Sequence, residues 1–143
     1  MTVDWSSFGR GVFLVNVLGI VHKDGKVLIG RREEDPYIKE LAWGFPSGRP
    51  TYDRPLEESL KDEIKKKTNL DVEVKKLIFA RIPEEKKEFL FLYFYCEAVG
   101  GKEKAGEKFV EIKWVKPTEL KKYFTTSLHP ELIDFLKKLE AKK

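Results

Sequence analysis

Apolar side chains crowd residues 13–21, Phe-Leu-Val-Asn-Val-Leu-Gly-Ile-Val, and again residues 26–30, Lys-Val-Leu-Ile-Gly, with His22-Lys23-Asp24-Gly25 between. Two β-branched-rich runs joined by Asp-Gly predict a β-hairpin. Residues 31–40 are polar, and Asp35-Pro36 disfavours helix there, so a loop is predicted to feed a short strand and turn at residues 41–48, Leu-Ala-Trp-Gly-Phe-Pro-Ser-Gly. From Pro55 to Thr68 the apolar positions Leu56, Leu60 and Ile64 recur every four residues. Pro55 suits the start of a helix and Asn69 a left-handed stop, so one helix is predicted, charged outside its stripe. Residues 72–80 alternate and then run apolar, whereas residues 89–96, Phe-Leu-Phe-Leu-Tyr-Phe-Tyr-Cys, are apolar on both faces and predict a central strand covered on both sides. Gly100-Gly101 interrupts the chain, residues 110–115 alternate as a further strand, Pro117 opens a helical turn, and Pro130 to Lys138 predicts a last helix. The order gives an α+β fold, a mixed β-sheet with helices packed on it.

The length of 143 residues, without internal repeat or linker, predicts a single domain over 1–143. A hydrophobic fraction of 41% excludes wholesale disorder. No run approaches the ~18 apolar residues of a membrane span, and Met1-Thr2-Val3-Asp4 lacks the basic flank of a secretion signal. One cysteine, Cys96, cannot form an internal disulfide, which favours a reducing, cytoplasmic setting. Charged residues reach 36%, above the ~25% of ordinary domains, with Lys and Glu leading: a thermophile-like composition. The net charge of +4 is mixed in sign along the chain, which argues against nucleic acid as partner and leaves a small anion open.

Residues 48–70 run Gly-Arg-Pro-Thr-Tyr-Asp-Arg-Pro-Leu-Glu-Glu-Ser-Leu-Lys-Asp-Glu-Ile-Lys-Lys-Lys-Thr-Asn-Leu. This stretch resembles the Nudix box, a pattern of Gly, five residues, Glu, seven residues, Arg-Glu, an apolar residue, any residue, Glu-Glu, any residue, Gly and an apolar residue. Gly48, Glu63, Ile64 and Leu70 match; Arg54 stands for the first Glu, Asp62 for the Arg, Lys66 and Lys67 for the paired Glu, and Asn69 for the second Gly. The surroundings are also similar to that family: a hairpin ending in Leu28-Ile29-Gly30-Arg31-Arg32, Trp43-Gly44-Phe45-Pro46 before the box, and Ile112-Lys113-Trp114-Val115 with Glu119-Leu120 after it. The resemblance covers roughly residues 12 to 137 and implies a Nudix-like fold, a mixed sheet sandwiched between helices. It also implies hydrolysis of a diphosphate linked to a nucleoside, assisted by magnesium on helix carboxylates, with Glu63 as the catalytic residue carried over.

Positions i, i+3 and i+4 share a helix face, so three glutamates there would offer clustered oxygens to a hard cation. Here that face carries Glu63, Lys66 and Lys67, and the five ionic box positions change from a net −3 in the pattern to +1. An ammonium ~4 Å from a dication repels it by roughly 8 kcal/mol at an effective dielectric of about 20. No metal is therefore expected at the box helix, although magnesium would be required by an active hydrolase.

Three roles stay open for this face. Glu63 can reach Lys66 and Lys67 as a helix-surface ion pair worth ~0.3–0.5 kcal/mol; the two ammoniums can neutralise a diphosphate directly; or catalysis has moved to Glu84, Glu85, Glu88 or Glu107. Arg31 and Arg32 end the hairpin where the family commonly places a substrate-contacting arginine, with ion pairs to Glu33 or Glu34 as the alternative. Trp43 and Phe45 pack either a base or the core, as do Tyr93 and Tyr95. Cys96, in the buried strand, is expected to act as a small hydrophobe, and two histidines do not support a zinc site. Residues 137–138 and 142–143, all Lys, predict a frayed terminus. The expected partner is a small nucleotide-type anion, and the family's habit leaves a homodimer open. The candidate functions are a nucleotide-binding protein with weak or lost hydrolysis, an active divergent hydrolase of ADP-ribose, nucleotide sugars or nucleoside triphosphates, and a non-catalytic interaction subunit.

Overall fold

The computed structural model describes residues 12–32, 43–84, 86–124 and 128–141. In chain order these form β1 (Leu14–Lys23), β2 (Lys26–Arg32), β3 (Trp43–Gly44), β4 (Ser47–Gly48), α1 (Leu56–Thr68), β5 (Asp71–Arg81), β6 (Phe89–Gly100), β7 (Phe109–Val115), a 3-10 helix (Pro117–Lys122) and α2 (Pro130–Ala141). The predicted hairpin is present, with Asp24 and Gly25 both at positive φ in its turn, as a two-residue Asp-Gly connection requires. The loop predicted over 31–40 falls mostly outside the described residues, as do Leu41, Ala42, Glu85 and the terminal lysines at 142–143.

β1 is the axis of the sheet. It runs parallel to β6 from Leu14 beside Phe89 to His22 beside Glu97, and β6 pairs antiparallel with β5 on its other edge. The hairpin partners β1 and β2 pair only next to the turn. Beyond it, β4 takes the edge of β1, while β2 pairs with β3 and β7. The sheet is thus mixed, and β6 is interior as its two-sided apolar run predicts.

Alternation along β1 sends side chains to two layers. Val17 and Val21 join Leu60 and Ile64 of α1 with Leu28, Phe94 and Cys96. Leu18 and Ile20 join Leu132, Leu136 and Leu139 of α2 with Leu120 of the 3-10 helix. One helical layer therefore covers each face. The last helix continues three residues past Lys138, because Leu139 extends the stripe of Leu132 and Leu136 and is buried with it.

α1 starts after Pro55 and ends on Asn69, whose φ of 64° is the left-handed stop. The chain after β6 returns over that end: Lys104 N–H donates to the Thr68 carbonyl, Gly106 N–H to that of Lys67, and the Asn69 side-chain amide to that of Lys102. The first two of these bonds occupy carbonyls that a helix C-terminus leaves without intrahelical partners. They also fix the turn of α1 that carries Lys66 and Lys67 against the sheet.

Candidate functional site

Gly48 lies directly beneath Glu63. A Cβ on Gly48 would overlap the Glu63 side chain, so only glycine lets the carboxylate lie against β4. Glu63 Oε2 is 3.4 Å from Lys67 Nζ and Oε1 is 3.9 Å from Lys66 Nζ. The i+3 and i+4 ion pairs expected from the sequence are both present.

The two lysines differ in surroundings. The Lys66 side chain is 59% exposed; that of Lys67 is 13% exposed and donates to the Ser47 backbone carbonyl. Burial pushes the pKa of Lys67 below the ordinary lysine range, the Glu63 carboxylate opposes this, and the nearby Arg32 guanidinium adds to the depression. Arg32 reaches the same strand by donating to Ser47 Oγ at 2.8 Å. Glu63, Lys66, Lys67 and Arg32 thus gather around Ser47 and Gly48.

Arg31 does not join them by any contact described. It pairs with Glu111, its cross-strand partner on β7, at 3.1 Å; Glu33 and Glu34, the acids the sequence offered, lie outside the described residues. Trp43 is half-buried and meets Tyr123 edge-on at 5.4 Å. Lys113 Nζ stands 5.9 Å and 5.2 Å from the centres of those two rings. Phe45 is 3% exposed and edge-on to Tyr93 and Phe124, so its contacts are those of the core. Tyr93 and Tyr95 are core residues likewise. Cys96 is fully buried, and burial pushes its thiol up to about 12, the behaviour of an inert small hydrophobe.

Of the carboxylates considered for a relocated site, Glu88 pairs with Lys86 at 3.4 Å. Glu107 sits in the return loop at a positive φ and pulls electrostatically on Lys67. Ser47 escaped the sequence reading because its carbonyl and hydroxyl act through chain return, with no local signal to mark them. Tyr123 and Lys113 were missed for the same reason.

The donor set at Glu63 does not fit a divalent cation: one carboxylate faces two ammoniums, and the nearer of them is buried on the adjoining carbonyl. Among the described residues, no three His, Cys, Asp or Glu side chains come together as a metal-ligand set. Arg54 and Asp62, which exchange sign relative to the family pattern, are paired side chain to side chain, with the turn before α1 folded back over the helix.

A family model described as NUDIX domain matches residues 12–139. The ADP-ribose pyrophosphatase of Methanocaldococcus jannaschii is 28% identical over 111 residues, covering 76% of this chain and 64% of that protein, so the chain spans under two thirds of that relative's length. Among solved structures, a NUDIX hydrolase from Nitrosomonas europaea superposes with a TM-score of 0.76 at 18% identity, covering 94% of this chain and 76% of that one. An ADP-ribose pyrophosphatase from Streptococcus suis 89-1591 superposes with a TM-score of 0.63 at 16% identity, covering 91% and 92%. At those identities the structures show the fold, while the family model spans nearly the whole chain from β1 to α2: this chain belongs to the NUDIX domain family.

Proposed function

We propose that this protein binds a nucleotide-type anion containing a diphosphate, without a metal ion at the α1 face and with weak or lost hydrolysis. The observation that supports this reading is the ion cluster on α1: Glu63 is held between Lys66 and Lys67, so the face that aligns with the family's metal glutamates carries net positive charge. Lys66, exposed at 59%, and Arg32, beside Ser47, supply cationic donors suited to phosphate oxygens. Among the described residues, a hydrolytic route through metal-activated water has no matching donor set.

Likeness to the ADP-ribose pyrophosphatase of M. jannaschii favours a second reading, an active hydrolase of nucleoside diphosphate derivatives. Calorimetry with ADP-ribose in chelator, repeated with magnesium and with product analysis, separates the two. The expected outcome is binding in chelator that weakens as salt shortens the Debye length below about 10 Å, that falls with Lys66→Ala, and that is accompanied by background turnover. Binding only with magnesium, or magnesium-dependent turnover abolished by Glu63→Gln, would establish the hydrolase instead. Neither binding nor turnover would leave the interaction subunit.

A further inference from the structure

The core-facing stripe of α2 is Leu132, Leu136 and Leu139. Ile133 and Lys137 stand beside it, one helical turn apart on a common face. Opposite them the 3-10 helix presents Thr118 and Lys121, which eclipse one another at i and i+3. Between these two elements lies a cavity of about 90 Å³, partly open to solvent. Its lining divides into two kinds. Pro117, Leu128, Ile133 and Leu136 are apolar, and Leu136 is buried, so they form the floor. Lys121 and Lys137 are exposed and come from opposite walls. The acids nearest them in sequence are committed elsewhere: Glu119 to Lys122 at 3.7 Å and to the Lys116 N–H, and Glu140 to the Thr118 hydroxyl at 2.7 Å. Among the described residues, neither Lys121 nor Lys137 has a carboxylate within ion-pair reach. The bond from Thr118 to Glu140 also ties the 3-10 helix to α2, so the walls keep their spacing without help from the lysines.

We propose that this cavity is a second binding site, for a small free carboxylic acid with a short branched aliphatic tail: the tail lies on Leu128, Ile133 and Leu136, and the carboxylate faces the ammoniums of Lys121 and Lys137. Size sets the first part of the assignment. A cavity of about 90 Å³ is well below the ~300 Å³ at which pockets for whole drug-sized ligands begin, yet it exceeds the roughly 30 Å³ share of one water. It has room for a few carbon atoms and none for a nucleotide. Charge sets the second part, because two ammoniums without a counter-ion above an apolar floor complement an anion that carries hydrocarbon. The walls are helical and offer no strand edge to pair with a peptide main chain, which favours a free acid over the end of a partner protein. The site belongs to the α2 layer, whereas Glu63, Lys66 and Lys67 stand on α1, so the proposal does not rest on the nucleotide reading above.

The test is an amide NMR titration of the full chain with isocaproate at constant ionic strength, with isohexanol and acetate as controls. Isocaproate is expected to give saturable shifts centred on Thr118, Lys121, Ile133 and Lys137, with a Kd of about millimolar, as suits so few atoms. Isohexanol keeps the tail without the charge and acetate the charge without the tail; each is expected to bind about tenfold more weakly or not at all. The double variant Lys121→Gln with Lys137→Gln changes exposed side chains only and should fold. It is expected to weaken isocaproate about tenfold and to leave isohexanol as it was. Ile133→Phe, which fills the cavity, is expected to abolish binding of both, and the double lysine variant keeps the test decisive should Ile133→Phe fail to fold. Acetate or isohexanol binding as well as isocaproate overturns the proposal, as do shifts that never saturate, shifts spread over lysines elsewhere, and unaltered isocaproate binding by the double lysine variant. Tenfold tighter binding of N-acetylglycylleucine than of isocaproate overturns it too, and assigns the cavity to a peptide carboxyl terminus.

Discussion

Cys96 and Lys67 show how burial acts on single titratable groups with opposite consequences. The Cys96 thiol is pushed from 9.0 to about 12 by desolvation, so the folded state holds its proton in a range where the unfolded chain loses it. Its contribution to stability is therefore complete below pH 9.0 and is lost progressively as pH rises toward about 12. Lys67 runs the other way. Its folded pKa is lowered, so the cost of keeping it charged is relieved as pH climbs toward the ordinary lysine value. A comparison of the unmodified chain with Cys96→Ala, both of which keep Lys67, isolates the thiol. Urea unfolding at pH 8 and pH 10 is expected to show the unmodified chain losing about 1.4 kcal/mol more than the variant across that interval, one pKa unit's worth of linkage. Equal losses would show that the thiol ionises as readily folded as unfolded. The cavity left by the variant lowers stability at both pH values and leaves the difference intact.

Helix α1 was legible because its determinants are local. The Leu56, Leu60 and Ile64 stripe, Pro55 before it and Asn69 after it all lie within one stretch, and the helix runs from Leu56 to Thr68 with Asn69 in the left-handed region. Its ion pairs at i+3 and i+4 follow from the same geometry. What the sequence could not disclose were contacts made by chain return: Ser47 with Lys67 across 20 residues, Ser47 with Arg32 across 15, and Arg31 with Glu111 across 80. Lys67, three residues after Ile64 and seven after Leu60, borders the buried stripe of α1 and Lys66 does not, but the oxygen that meets its ammonium comes from β4 by chain return. Arg54 and Asp62 lie between these cases. Their exchanged signs allow attraction, and contact requires the turn to fold back along the helix, as it does. With side chains 37% and 50% exposed, the pair is screened, and a double-mutant cycle of Arg54→Ala and Asp62→Ala is expected to give a coupling below ~1 kcal/mol. Strictly additive losses would mean that the contact fixes nothing in solution.

The two-sided apolar run at Phe89–Cys96 announced an interior strand, yet its parallel neighbour could not be read, because no short-range pattern records which distant strand completes a sheet. That pairing of β1 with β6 divides the molecule into two apolar layers. One is closed by α1, which carries the Lys67 cluster where it meets β4; the other is closed by α2 and the 3-10 helix. Ile20 and Ile64 report on the layers separately. Both are fully buried, Ile20 among the α2 contacts and Ile64 in the α1 layer, where its Cδ1 lies close enough to Gly19 that a Cβ there would come within 2.7 Å. Removing one methylene at either position is expected to cost about 0.5–1.5 kcal/mol in urea unfolding. Because the sheet backbone stands between the two side chains and the layers have different lining residues, the losses from Ile20→Val and Ile64→Val should add to within ~0.5 kcal/mol in the double variant. A larger deviation would mean that the sheet transmits packing changes from one layer to the other, and that the α1 face bearing Glu63 and Lys67 is mechanically coupled to α2 rather than set by its own layer.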